Sequence, residues 1–127
     1  MKSDHFIKLA VNTAFRSKSK FRLGAVLVKK GKVLSFDYNR MNRSHPVQQK
    51  FSKTPFTIGL HAEIACCLGV GLRDLENSSV YVARVLRNGE SALARPCQGC
   101  ERFLRNVGVR EVFYTGQNSV ERMKLEE

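Results

Sequence analysis

No stretch of the chain is apolar for long enough to cross a membrane; the longest apolar runs fall far short of the roughly 20 residues a spanning helix needs. No internal repeat and no low-complexity segment is present, so neither a repeat array nor a compositional linker is expected. Met1 to Lys20 does not read as a secretory signal, because Asp4, His5, Lys8 and Asn12 interrupt any apolar core. Its Arg, Ser and Lys suit a mitochondrial presequence weakly, but Asp4 and the fit of the segment as a packed helix favour a cytoplasmic chain. Cysteine is sparse, with four residues, two in a C-x-x-C and two adjacent in an apolar helical stretch. Without an export signal, metal binding accounts better for the first pair than a disulfide, and Cys66 and Cys67 read as small reduced core residues. Acidic residues are scarce, 11 against 22 Lys and Arg, for a net charge of +11. Between His5 and Leu60 the only acid is Asp37. That imbalance favours an anionic partner, a nucleotide phosphate or a polynucleotide backbone, over a basic surface with no cognate partner.

What is present suffices for one domain spanning residues 1–127. A chain of 127 residues buries roughly two thirds of its unfolded surface, enough for a sheet with helices on it. Ser3 is a candidate N-cap, and Phe6, Ile7, Ala10, Val11, Ala14 and Phe15 recur at helical spacing, predicting an amphipathic helix over 4–16. Leu23–Val28 and Val33–Tyr38, separated by Lys29-Lys30-Gly31-Lys32, predict a β-hairpin. Residues 39–60 read mostly as a loop carrying His45, Phe51 and Phe56, and a connection this long is usually functional. A helix is expected from His61 to about Val70, ended by Gly69 and Gly71. Val80–Leu86 is a third strand, and Asn88-Gly89 predicts a type I′ turn after it, with Ser91–Ala94 pairing back. Pro96 suits a helix start, a helix runs from Cys97 to Asn106, and Glu111–Thr115 is a fourth strand. Too few residues follow for a parallel return, so Val120–Leu125 is either an antiparallel strand or a frayed tail ending in solvated Glu126-Glu127.

His61-Ala62-Glu63 and, further along, Pro96-Cys97-Gln98-Gly99-Cys100 supply one imidazole, two thiols and one carboxylate. Both fragments sit where a strand or loop gives way to a helix, so backbone N–H groups and the helix dipole favour thiolates there. Cysteines three apart lie on neighbouring positions of one turn and can grip one ion. Three protein ligands leave a fourth zinc position for water, which is how catalytic zinc is held. Glu63 is out of register with His61 on a regular helix, but in a loose first turn its carboxylate can reach the water and not the metal. The alternative is a structural zinc knuckle, which needs a fourth His or Cys; Cys66 and Cys67 are the only nearby candidates.

The paired signature H-x-E…P-C-x-x-C resembles that of the zinc-dependent nucleobase deaminases. The chain is similar, over most of its length, to the cytidine/deoxycytidylate deaminase superfamily. The resemblance implies an α/β chain with a three-layer α/β/α fold and a mixed central sheet of about four or five strands, the last antiparallel if present. It implies one Zn²⁺ per chain, held by His61, Cys97 and Cys100, with Glu63 as proton shuttle. Leu23–Val28 resembles the family's first hairpin strand. Asn39 falls where the family carries a strand-end asparagine that contacts sugar or base, a turn residue being the alternative. The Ala62 backbone N–H is implied to contact the base carbonyl. Several features depart from the pattern. Ile64-Ala65-Cys66 stands where deoxycytidylate deaminases usually carry an Asn, and Arg87–Arg95 intrudes before the P-C-x-x-C. The C-terminal segment lacks room for a further crossover, and without tryptophan there is no Ser-Trp-Ser lead-in of the DNA-editing branch. His61-Ala62-Glu63-Ile64 and Asn39-Arg40 also resemble tRNA adenosine deaminases.

The leading expectation is hydrolytic deamination of a cytosine-bearing free nucleotide, deoxycytidylate first, to the uracil product. The alternative is a deaminase of cytosine or adenine in single-stranded DNA or RNA, favoured by the spread of basic charge and by Phe51 and Phe56 as stacking aromatics, with His45 able to join either site. A zinc-stabilised binding module without turnover is a third class, and Glu63 argues against it. No membrane partner is expected. Relatives often assemble with neighbouring chains lining the pocket, so a homo-oligomer is an open expectation.

Overall fold

The computed structural model describes residues 2–40, 45–51 and 59–125, with side chains from Asp4 onward in the first segment. The hairpin forms as the sequence predicts: β1 (Arg22–Lys29) and β2 (Lys32–Tyr38) pair antiparallel. Their two-residue turn is Lys30-Gly31, both with positive φ (51° and 76°), the backbone of a type I′ turn that matches the twist of the strands. On its other side β1 pairs antiparallel with β3 (Ser79–Val85), which also pairs in parallel with β5 (Glu111–Thr115). The segment Val120–Lys124 does form a strand, β6, antiparallel to β5. A two-residue strand, β4 (Ser91–Ala92), adds to the end of β3. The sheet therefore has six strands, β2-β1-β3-β5-β6 with β4 beside β3, rather than four or five.

Helix α1 (Lys2–Ala14) covers one face, where Phe6 and Ala10 pack on Val26, Val28, Tyr81 and Ala83. The other face carries α3 (Ala62–Ala65) and α5 (Gln98–Asn106), with Ile64 and Leu104 on Ala25, Leu27, Val80 and Val82. β1 and β3 are buried on both faces, so their runs are continuously apolar rather than alternating. Leu27, Ile64 and Leu104 are fully buried, each worth about 1.5–3 kcal/mol of apolar transfer.

Several local expectations are corrected. The helix starting after His61 is one turn, not three: Cys67 and Leu68 turn tightly back on Ile64 and Ala65, Gly69 takes φ 83°, and a separate turn, α4 (Leu72–Leu75), follows. Part of the 39–60 loop is helical, as α2 (Pro46–Phe51). Asn88-Gly89 does not make a type I′ turn. Gly89 alone has positive φ, Gly89 N–H bonds Leu86 carbonyl at 2.9 Å and Leu86 N–H bonds Glu90 carbonyl at 2.9 Å, which is a three-residue loop with a glycine bulge. Pro96 precedes the cap of α5 instead of opening the helix. α1 already begins at Lys2, so Ser3 is inside it, and it ends at Ala14, leaving Phe15 46% exposed. Glu126-Glu127 lie outside the described residues. Among the described residues no helix is long and apolar enough to cross a membrane.

Gly24 sets how closely α1 approaches the sheet. A Cβ there would lie 2.4 Å from the Ala10 carbonyl oxygen and 2.5 Å from the Ala14 nitrogen, both backbone atoms that cannot swing aside. Gly24→Ala is therefore expected to push α1 off β1 and cost about 1–3 kcal/mol of stability, read as a lower urea midpoint at unchanged slope.

Candidate active site

His61 caps α3 with extended backbone (φ −74°, ψ 149°), and its N–H donates to Gln48 Oε1 at 2.9 Å. Gln48 is completely buried and comes from α2. That helix is also fastened to α5: Arg102 Nη2 donates to the Phe51 carbonyl at 2.7 Å, and the Phe51 and Phe103 rings meet edge-on at 5.5 Å. α2 thus ties the residue that opens α3 to the helix that follows Cys97. Phe51 is consequently a packing aromatic and not a loop platform, and His45 Nδ1 accepts the Val47 N–H at 3.1 Å as a local cap. Phe56 lies outside the described residues.

Cys97 is the N-cap of α5, its sulfur accepting the Cys100 N–H at 3.4 Å, in the place a Ser or Asp oxygen usually takes. His61 Nδ1 lies 3.2 Å from Cys100 Sγ and 3.7 Å from Cys97 Sγ. Bonds of about 2.3 Å to sulfur and 2.0–2.1 Å to nitrogen at tetrahedral angles put ligand atoms roughly 3.5–3.8 Å apart, so this donor set fits zinc. These three residues are the one such group among the described residues, their ligand atoms lying within 4.8 Å of one another. Cys66 and Cys67 are buried outside it, with the Cys66 thiol donating to the Glu63 carbonyl at 3.2 Å. The fourth ligand a structural knuckle would need is not supplied by them.

The charges reinforce one another. The Cys100 thiol donates to Cys97, and with His61 it holds the Cys97 thiol down at about 3 against the opposing effect of burial. The same hydrogen bond to Cys97, together with burial, pushes Cys100 well up, and the bond to Cys97 raises His61. Burial raises the Glu63 carboxyl, with its own backbone N–H and His61 acting the other way. A carboxyl whose burial favours the protonated form, beside a group of side chains able to hold a metal, suits a proton carrier.

His61, Glu63 and Cys97 line a cavity of about 340 Å³. Ala62, the first residue of α3, lines it, and a helix leaves the N–H at that position without an intrahelical acceptor. Asn39 lines it too. Its Oδ1 accepts the Leu23 N–H at 3.0 Å and its Nδ2 donates to the Phe21 carbonyl at 2.7 Å, leaving one N–H and one lone pair uncommitted. Sequence reasoning missed Gln48, Phe21 and Arg84. Gln48 carries no pattern. Arg84 does: Val80, Val82 and Arg84 share a strand face, and an arginine continuing two buried valines marks the edge of a cavity.

Residues 1–116 match the model of the cytidine and deoxycytidylate deaminase zinc-binding region. A search of curated protein sequences finds no significant match. Among solved structures, the apo dCMP deaminase of the cyanophage S-TIM5 is similar at TM-score 0.62 and 19% identity, over 92% of this chain and 84% of that one. A cytidine deaminase from Mycobacterium leprae is similar at TM-score 0.56 and 24% identity, over 94% and 91%. A tRNA:A34 deaminase is similar at TM-score 0.56 and 25% identity, over 93% and 79%.

Two outcomes are expected from the site geometry. Gln48→Leu strips the acceptor from the His61 N–H and should weaken zinc binding by about 10–100-fold in chelator competition, whereas Gln48→Glu, which keeps the acceptor, should bind within about threefold of the parent. In zinc-stripped protein, Cys97 should alkylate at about pH 5, well below the range of an ordinary thiol, while buried Cys66 and Cys67 stay unmodified in peptide mapping.

Proposed function

The chain belongs to the cytidine and deoxycytidylate deaminase family and is a zinc-dependent deaminase; from that premise we propose that it converts cytosine to uracil on a free nucleotide, deoxycytidylate first, with release of ammonia. The observation that carries this reading is the buried Glu63 carboxyl beside the His61, Cys97 and Cys100 donors at the end of a cavity of nucleotide size. We assign His61, Cys97 and Cys100 as the zinc ligands. Zinc, when bound, supplies a Lewis acid that brings a water molecule close to neutral acidity. Glu63 takes a proton from the attacking water and gives it to the ring nitrogen; it then takes the remaining proton from the hydroxyl on the tetrahedral carbon and passes it to the amine, so that the carbonyl forms as ammonia leaves. The Ala62 N–H holds the base carbonyl, and the uncommitted N–H and lone pair of Asn39 are placed for the sugar or base. The hydrogen bonds from Asn39 to the backbone at Phe21 and Leu23 pre-orient it for that role.

A second reading, deamination within a single strand, is favoured by Phe21, which is 48% exposed at the cavity. Base stacking on an exposed aromatic is how single strands are held, and the basic run before Leu60 suits their backbone. Likeness to a tRNA:A34 deaminase keeps this reading in view.

Ammonia release from deoxycytidylate, cytidine and a cytosine-containing single strand, followed side by side, separates the two. Turnover of the monomers alone supports the free-nucleotide reading. Glu63→Ala should lower kcat by about 10²–10⁴-fold while zinc content stays unchanged, and full activity in that variant would discard the mechanism.

A further inference from the structure

The insertion between β3 and α5 builds one wall of the cavity, and it brings two arginines to it. Arg84 leaves from β3 and Arg95 from the returning arm, just before Pro96 and Cys97. The return is held firmly. Thr115 Oγ1 accepts the Arg84 N–H at 3.1 Å and donates to the Ala92 carbonyl at 2.8 Å, and the Ala94 N–H donates to the Thr115 carbonyl at 2.8 Å. Thr115 is itself buried at the end of β5. Both arginines therefore start from backbone pinned to the same residue, and their approach to the cavity is set by the fold and not by a free loop.

The two cations lack a counter-charge. The ion pairs among the described residues are Arg40–Asp37, Arg110–Glu111 and Arg122–Glu111, and none involves Arg84 or Arg95. Among the described residues that line the cavity Glu63 is the only acid, and it belongs to the reacting centre. Arg84 Nε is buried with no hydrogen-bond partner, and the guanidinium carbon lies over the Phe21 ring, 4.8 Å from its centroid. A buried N–H of a charged group without an acceptor is costly. Two guanidiniums lining one small cavity repel each other until an anion joins them, and arginine's planar fork suits phosphate oxygens.

We propose that Arg84 and Arg95 form a phosphate clamp at the mouth of the base site, so that the substrate is a nucleotide phosphate rather than a bare nucleoside. The inference rests on the cavity being the base site proposed above. The phosphate could be the terminal group of a mononucleotide or an internucleotide link, and the test separates these.

Zinc-loaded parent, Arg84→Gln and Arg95→Gln are compared on deoxycytidine, deoxycytidylate and a short single strand containing one cytosine. Each substitution should lower the ratio of kcat/KM for the phosphate-bearing substrate to that for deoxycytidine by about 10–100-fold. A loss on deoxycytidylate identifies a terminal phosphate, and a loss on the strand alone identifies an internucleotide one. Equal losses on nucleoside and nucleotide would overturn the clamp in favour of a packing role for these arginines. Arg95 is exposed, so its variant is expected to fold even where Arg84→Gln does not. Binding of the product dUMP against deoxyuridine, measured by calorimetry, reads the clamp independently of turnover. A parent that prefers dUMP and loses that preference in Arg95→Gln, yet deaminates nothing, retains the clamp and refutes the deaminase substrate. A parent that deaminates cytosine without preferring the phosphate refutes the clamp alone.

Discussion

The parallel pairing of β3 with β5 is the constraint on which the arrangement depends. Parallel neighbours cannot be joined by a tight turn, so the chain must leave the end of β3, cross over a face of the sheet and re-enter at the start of β5. α5 is that crossover. Its first turn, with Cys97 as cap, is thereby delivered to the end of the sheet where β2, β3 and β5 finish and where β1 begins. The crevice beyond strand carboxyl ends is the usual ligand position in such sheets, and here it is lined by residues at the ends of β2 and β3 and at the start of β1. Asn39 follows β2, Arg84 lies near the end of β3 and Leu23 opens the site face of β1, while Thr115 at the end of β5 holds the backbone at Arg84 and Ala94 from behind the lining. Antiparallel pairing at that one position would have separated them.

Holding charge in this crevice is an electrostatic problem that the local sequence handles in layers. A thiolate at a helix cap is favoured by backbone N–H groups and the dipole, and Cys97 uses both. A carboxyl buried one residue inside the neighbouring helix is disfavoured as the anion, and Glu63 is raised for that reason first. Two groups of opposite sense thus stand side by side, one readily charged and one readily protonated. Gln48 contributes no charge. It satisfies the N–H that His61, as a cap without a side-chain capping bond, would otherwise leave buried and unpaired.

The readable parts of the chain were those where chemistry and backbone agree locally. Lys30-Gly31 reads as a turn because the flanking runs are apolar and the glycine accepts positive φ, and the hairpin forms there. That a strand after Thr115 would return antiparallel follows from loop length, but that β6 forms at all, and not a frayed tail, does not. The two ligand fragments are recognisable because the residue types are rare and closely spaced. What escaped was tertiary. Nothing before Gly69 in Ile64-Ala65-Cys66-Cys67 predicts a one-turn helix, since its apolar residues suit a longer one; packing and the tight turn at Cys67 stop it. α2 follows a loop-like composition and is held by Gln48, Phe51 and Arg102 contacts to residues far along the chain. Asn88-Gly89 signals a hairpin correctly but not its length, because a third loop residue, Arg87, lets Asn88 keep negative φ.

The same distinction applies to charge. A net charge of +11 is a property of the whole surface, and exposed lysines such as Lys30 and Lys32 at the hairpin turn are screened beyond about 8 Å at physiological salt. They draw any anion near the molecule and discriminate little among anions. A guanidinium whose Nε is shut away from water and stacked on a ring is screened much less, and its interaction with a bound group is correspondingly stronger and directional. Composition therefore bears on how fast an anionic ligand arrives, while cations that line the cavity without an ion-pair partner bear on which anion is held there. Under the proposed clamp, the segment before Pro96 that departs from the family pattern, and so obscures the substrate when read by resemblance, is also the one that selects it.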